Sequence, residues 1–389
     1  MRKKLIILIL CLFLPLMSSG CWSMQATEKL AIVTAIGIDS TGTGNNRIFK
    51  FTADVIRPRD MGSSKSQSSG NGSKPYLIVE AEGTTIDEAR RNLCTVMSRQ
   101  IYLSHVRVII LGRQVCRDGL NEVMDYLTRN QQIRLIDYIA VTDGTAHDLF
   151  NAKGLQEMDI AKEIYGLMTI GKKVTHVIAP VTLKEFSESM ITPGMEAWAP
   201  VINLKESADN PESADISGLA LFRNDKLAGN LNLPETKSIL LMQNKIDASQ
   251  LTIFLDNGEL VKFKLTKSKT QINVSIFNNI PNVEISLAAE GNITEASPNA
   301  DLEDLAGLEE KIRDVLHRNL TIAFKKTQNY NSDMLGIGRL VEIQNKEYWD
   351  HVSENWYDIY SELEPNINVL IKINNLGLRS DSFNSKLRS

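Results

Sequence analysis

Five histidines are the residues best suited to acid–base or metal chemistry near neutral pH: His105, His147, His176, His317 and His351. No two of them share the His-Glu-x-x-His spacing that puts two zinc ligands on one helix face. The chain has no Gly-x-Ser-x-Gly turn to expose a nucleophilic serine and no Gly-x-x-x-x-Gly-Lys-Ser/Thr phosphate loop. Ser104-His105 is not a catalytic dyad, because neighbouring side chains on a strand point to opposite faces; His105 is read as structural. Glu309-Glu310 falls on an amphipathic helical pattern and reads as a solvated face. Gly42-Thr-Gly44 and Gly336-Ile-Gly338 sit where turns are expected, and turn geometry accounts for them. These residues indicate no catalytic group, no metal site and no cofactor, and the missing motifs oppose an exported hydrolase.

Cysteine chemistry is more informative. Of four cysteines, Cys11 lies in an apolar run over 5–17 that follows Arg2-Lys3-Lys4. That run is too short to span a bilayer, which takes roughly 20 apolar residues. A basic start, a short apolar core and a small-residue exit describe a secretory signal. Ser18-Ser-Gly-Cys21 resembles a bacterial lipoprotein cleavage site, with Ser18 where leucine is usual. Residues 1–20 would be removed and Cys21 would carry the lipid. Cys94 and Cys116 remain, read as two buried free thiols, and no Cys-x-x-Cys is present.

Charge narrows the partners. The chain of 389 residues carries a formal net charge of −4. Loss of Arg2, Lys3 and Lys4 with the leader removes three cations and takes this to −7. Nucleic-acid binding needs a basic footprint, so it is excluded, and a polybasic membrane anchor is disfavoured. Attachment to a membrane would come from the lipid.

The elements that would position these residues follow from periodicity. Segments 30–38 and 47–57 read as an antiparallel hairpin. The Gly/Ser-rich segment 61–74 reads as a flexible loop. Strands at 76–81, 106–111 and 133–141 alternate with helices at 85–97 and 118–129; Thr85 and Glu88 are spaced for a capping box. A polar stretch with Pro211, 205–215, reads as a linker. Strands follow at 216–222, 250–255, 260–267 and 271–277, with Asp256-Asn-Gly258 as a hairpin turn. Apolar residues Leu308, Ile312, Leu316 and Ala323 recur at helical spacing over 301–329, and 366–373 alternates as a last strand. Trp349, Trp356 and Tyr360 share a helical spacing and are expected to pack on that helix rather than form a docking patch.

The expected fold is therefore α+β, with three consecutive mixed α/β domains, each a sheet with packed helices, after a cleaved lipoprotein signal peptide. The expected boundaries are 1–20 signal peptide, 21–204 N-terminal α/β domain, 205–215 linker, 216–280 small β-rich middle domain and 281–389 C-terminal α/β domain with the long amphipathic helix.

Several segments, in order, are similar to the Ger(x)C family, the lipoprotein C subunits of nutrient germinant receptors in endospore-forming bacteria. They are Gly20-Cys21-Trp22 with 28–39 (EKLAIVTAIGID), 99–105 (RQIYLSH), 119–125 (GLNEVMD), 216–229 (ISGLALFRNDKLAG), 290–294 (EGNIT), 330–338 (YNSDMLGIG) and Tyr348-Trp349. The resemblance covers about 350 residues. It implies a non-enzymatic subunit on the outer face of the spore inner membrane, attached through lipid at Cys21. Its implied partners are integral-membrane A and B subunits, and it would be needed for nutrient-triggered germination. Another class open from the residues is a lipid-anchored solute-binding protein of a transporter, although the β-rich segment 216–277 fits poorly with two doubly wound lobes.

Overall fold

The computed structural model of the chain describes residues 29–57, 75–152, 154–174, 178–207, 210–298 and 300–376. The expected leader 1–20, Cys21 and the loop 61–74 lie outside those residues.

The described strands form two sheets. The larger takes β1 (Leu30–Thr41), β2 (Ile48–Ile56), β3 (Tyr76–Gly83), β4 (Gln100–Tyr102), β5 (Val108–Gly112), β6 (Tyr138–Thr142), β7 (Val181–Thr182), β8 (Trp198–Ser207), β9 (Asn210–Arg223) and β10 (Lys226–Leu231). Its order is β10-β9-β8-β6-β5-β1-β2-β3, with β4 on β1 and β7 on β6. β1, β5, β6 and β8 run parallel in the middle, and antiparallel strands flank them.

Both faces are covered, as a sheet with a parallel centre requires. On one face pack α1 (Ile86–Val96), α2 (Arg113–Asp118) and α3 (Asn121–Arg129), through Ala89, Leu93, Val115, Val123 and Leu127. On the other pack α4 (Ala146–Asn151) and α5 (Ile160–Val174), through Leu149, Phe150, Ile160, Ile164 and Met168. A bulge in β1 between Val33 and Ala35 switches the side-chain parity, so that Val33, Ile36 and Ile38 all reach the first face.

Local contacts explain where elements differ from expectation. The helix expected over 118–129 breaks at Gly119, whose φ of +122° ends α2, and Leu120 N–H then donates to the Asp225 carbonyl at 2.9 Å. The strand expected over 133–141 starts only at Tyr138, because Arg134 N–H donates to the Asp137 carboxylate at 3.0 Å and closes a turn. Thr85 caps α1 by accepting from Glu88 N–H at 3.2 Å, but the Glu88 carboxylate reaches Thr84 N–H instead, at 2.7 Å.

The segment 205–215 is not a linker. β8 and β9 stay paired through it, Lys205 opposite Ser213 and Ser207 opposite Asn210, with Lys205 bridging to Asp215 at 3.4 Å. Its polar stretch belongs to a two-stranded ribbon, and β9 and β10 complete the large sheet. The boundary expected at 280–281 likewise falls inside a hairpin. After α6 (Leu183–Ile191) and α7 (Leu233–Met242), the smaller sheet is β11 (Ser249–Phe254), β12 (Leu260–Phe277), β13 (Ile280–Ala296) and β14 (Asn366–Asn375), in that order. β12 is one strand of 18 residues where two were expected. Its tight turn to β13 uses Asn278 and Asn279 at φ +51° and +62°, the left-handed geometry that suits a two-residue hairpin. The expected Asp256-Asn-Gly258 turn does join β11 to β12, Phe254 opposite Leu260.

The long helix α8 (Leu305–Asn329) starts at Asp304, whose carboxylate accepts from Gly307 N–H at 2.9 Å. It buries Leu308, Ile312, Leu316, Leu320, Ala323 and Phe324. It is followed by α9 (Ile337–Gln344), α10 (Lys346–Val352) and α11 (Trp356–Glu362). β14 then pairs parallel with β13, Ile285 opposite Ile367, which the helical crossover makes possible.

Candidate functional site

The residues singled out for chemistry do not come together. His105 is exposed in the turn after β4, not on a strand, with its ring 5.8 Å from that of Tyr102. Glu309 accepts from Ile373 N–H at 2.8 Å, whereas Glu310 pairs with Arg313 at 2.8 Å, so the two carboxylates serve different partners. Gly336 takes φ +71° as the residue before α9, and Gly42 and Gly44 take φ +75° and +57° in the β1–β2 connection. Cys116 is buried, with its thiol pushed up by burial, but Cys94 is exposed, unlike the expected pair of buried thiols. Trp349, Trp356 and Tyr360 are core residues, as expected; the indole rings lie 5.5 Å apart, on α10 and α11.

What the fold does gather is a buried polar seam between the two sheets. Asp333 is its centre. Its carboxylate accepts from Ile337 N–H at 2.9 Å, Gly338 N–H at 2.7 Å and the Trp356 indole N–H at 3.0 Å. Burial pushes its pKa up to about 6, against the pull of those donors. The Asp333 carbonyl accepts from Glu196 N–H at 3.0 Å. Glu196 in turn accepts from Asn224 N–H at 2.7 Å and from the Tyr357 hydroxyl. Burial also pushes Glu196 up, to about 7. The Tyr357 ring carries the Arg223 guanidinium at 4.4 Å.

Close backbone approach explains the glycines here. Gly194 sits at φ +68°, and its carbonyl accepts from Arg339 N–H at 2.8 Å. A Cβ on Gly194 would fall 2.4 Å from the Gly338 carbonyl carbon, and one on Gly229 would fall 2.3 Å from the Tyr330 ring. Segments 216–229 and 330–338, more than a hundred residues apart, are therefore one structural unit. Asp333 lies within the segment 330–338 (YNSDMLGIG), but nothing in its sequence neighbourhood marks its role. Glu196 gave no signal at all.

Two other buried carboxylates lie on the large sheet. Asp39, at the end of β1, caps α4 by accepting from Ala146 N–H at 3.0 Å with either oxygen, and burial pushes its pKa up to about 6. It borders a cavity of 220 Å³ with Lys50, Glu80 and His147 at the carboxyl ends of the parallel strands, where open α/β sheets place ligands. That volume is below the roughly 300–1,000 Å³ of small-molecule sites. Asp54 lies buried beside Asp159, and desolvation and the neighbouring carboxyl both push it up.

A larger cavity, 1000 Å³, opens beside the β12–β13 turn. Phe277 and Ile280 stand exposed at its edge, and Tyr348 closes one side by donating its hydroxyl to the Asn279 carbonyl at 3.0 Å. Among the described residues, no group of three or more His, Cys, Asp or Glu is placed to hold a metal ion, and no helix is long and apolar enough to cross a membrane. The seam can hold two sheets in register and bind protons; its carboxylates are occupied by structural donors.

Comparison with known proteins matches this organisation. The family model described as spore germination protein N-terminal domain matches residues 23–204, and that described as spore germination B3/GerAC like, C-terminal, matches residues 217–377. Spore germination protein B3 of Bacillus subtilis (strain 168) is 26% identical over 375 residues, covering 94% of this chain and 96% of the relative. Spore germination protein KC of the same organism is 23% identical over 410 residues, covering 98% of each. The crystal structure of the GerBC protein superposes with a TM-score of 0.59 at 22% identity, over 88% of this chain and 98% of that one, and shares the fold. The two family models meet within the β8–β9 hairpin, so each contributes strands to the large sheet and residues to the seam. The chain belongs to the GerAC-like family of spore germination proteins, and its role lies in germination of the spore.

Proposed function

We propose that this protein is a non-enzymatic, lipid-anchored subunit of a spore nutrient germinant receptor, held at the outer face of the spore inner membrane through Cys21 beside integral-membrane A and B subunits. The observation that carries this reading is the end-to-end correspondence with spore germination proteins B3 and KC, with both family models matched in order. The disposition of three buried acids supports it. Asp39, Glu196 and Asp333 are each used to bind backbone N–H groups rather than left open to a substrate. Cys21 supports the anchor, because the chain after it enters β1 within nine residues. More than one acyl chain is needed for stable attachment, and a lipoprotein-type modification supplies that.

The test is purification of the full chain from spore inner membrane. Recovery with a multi-span A subunit and a transporter-like B subunit, and a lipid mass on Cys21, is the expected result. Recovery in the soluble fraction, without lipid and without membrane partners, overturns the proposal. A Cys21→Ala chain is expected to fold yet leave the membrane fraction and fail to support nutrient-triggered germination.

A further inference from the structure

The parallel strands of the large sheet begin at one end of the molecule. Ala35, Val108 and Tyr138 pair at the same level, setting the starts of β5 and β6. β1 begins further out, at Leu30, with Gln100 of β4 beside it. β2 runs the other way, so its last residues return to this end, Val55 opposite Val33. Cations collect here: Lys29 before β1, Arg57 after β2, Arg99 before β4 and Arg107 before β5. None of the four forms an ion pair among the described residues; Arg107 lies 5.3 Å from the Tyr165 ring centre. The loop between α3 and β6 adds Leu135, 46% exposed, and Ile136, 67% exposed. Arg134 fixes that loop from the same end by donating to the Val106 carbonyl at 2.8 Å.

Several cations at the opposite end are paired. There Arg47 is paired with Glu122 at 3.4 Å, Lys50 with Glu82 at 3.0 Å and Arg113 with Asp143. Four cations at the start of β1 thus have no ion-pair partner among the described residues, whereas Arg47, Lys50 and Arg113 at its end are paired. Screening makes the local patch, not the net charge, what a nearby surface meets, since the Debye length is about 8 Å at physiological ionic strength. A chain of net charge −4, or −7 once Arg2, Lys3 and Lys4 leave with the leader, can therefore present a local cationic face.

The geometry points to this end as a bilayer-contacting surface for anionic phospholipid. Lys29, Arg57, Arg99 and Arg107 take lipid phosphates, which suit a guanidinium fork, and Leu135 and Ile136 enter the headgroup region. The argument for lipid over another occupant is the length of chain outside the structure. Eight residues lie between Cys21 and Leu30, a span of at most about 30 Å when fully extended, so a lipid on Cys21 brings the start of β1 close to the membrane. The surface rests on the anchor reading above and adds an orientation to it: the start of β1 faces the bilayer and the Asp39 end faces away.

Backbone amide exchange on the full lipidated chain tests it, in vesicles of phosphatidylcholine alone and in vesicles rich in phosphatidylglycerol. Segments 99–107 and 131–137 are expected to exchange about tenfold more slowly on the anionic vesicles, a factor within reach of one or two cations near a charged bilayer. The variant Arg57→Glu/Arg99→Glu/Arg107→Glu is expected to lose that difference with exchange in the sheet core unchanged. Leu135→Ser/Ile136→Ser, on an exposed loop, is expected to weaken the protection of 131–137 without unfolding the chain. Equal exchange on both vesicles overturns the proposal, as does protection that requires an added integral-membrane protein. Flotation with phosphatidylcholine vesicles reads the anchor separately. A chain that does not float with them overturns the anchor, and exchange on anionic vesicles still decides the surface.

Discussion

The Ser332 hydroxyl donates to the Phe222 carbonyl at 2.7 Å, across 110 residues of chain, and both residues are buried. This bond ties the turn after α8 to the end of β9. The Asp333 carboxylate lies next along the chain and binds the start of α9 and the Trp356 indole. The large and small sheets are joined by these polar contacts as well as by apolar packing, and the contacts are sensitive to single changes.

Trp356→Phe keeps the ring contact with Trp349 but removes a donor from a buried carboxylate. Hydrogen bonds to charged groups contribute about 1.5–3 kcal/mol. A loss of that size is expected at pH 7 in denaturant unfolding. At pH 5 the loss is expected to shrink, because Asp333 titrates at about 6 and is then mostly neutral. A variant as stable as the parent at pH 7 would remove Asp333 from the centre of the seam.

Gly194→Ala is expected to be more damaging than its size suggests. The left-handed backbone alone costs a side chain about 1–2 kcal/mol, and the new Cβ would meet the Gly338 backbone at 2.4 Å. Gly44→Ala is the control: it shares positive φ, at +57°, but its Cβ would find open space. Thermal unfolding should fall clearly further for Gly194→Ala.

Stability is expected to decline as pH rises from about 4.5 to 7.5. Asp39 and Asp333 are raised from 3.8 to about 6, and Glu196 from 4.5 to about 7. The folded chain therefore holds more protons than the unfolded chain in this window, so unfolding becomes easier as they are lost. Glu196→Gln, which stays neutral, is expected to flatten the upper part of the profile and to gain on the parent above pH 7. Melting temperatures across the range read both effects; a parent profile that rises toward pH 7.5 contradicts the account.

Thiol reactivity should separate two cysteines. Cys94 is exposed on α1, whereas Cys116 is fully buried in α2 with its thiol pushed up by burial. Only the thiolate attacks, so Cys94 is expected to react with a maleimide in the native protein and Cys116 only after unfolding. Prompt labelling of Cys116 would mean that α2 opens readily.

The single chain determines those features that depend on neighbours in sequence. Helical spacing of Leu308, Ile312 and Leu316 marks α8, Asp256-Asn-Gly258 marks the β11–β12 turn, and Thr85 marks the start of α1, because periodicity, turn chemistry and capping act within one element. Tertiary structure decides the rest. Segment 205–215 looks like a linker until Lys205 finds Ser213, since a two-stranded ribbon and a loop can share the same polar composition. The helix expected from residue 118 starts only at Asn121, because Gly119 takes φ +122° and Leu120 N–H is taken by the Asp225 carbonyl from far along the chain. Glu196, Phe222 and Asp333 form a seam only because three distant segments close on one another, and hydrogen bonds between such segments leave no periodic trace in the sequence.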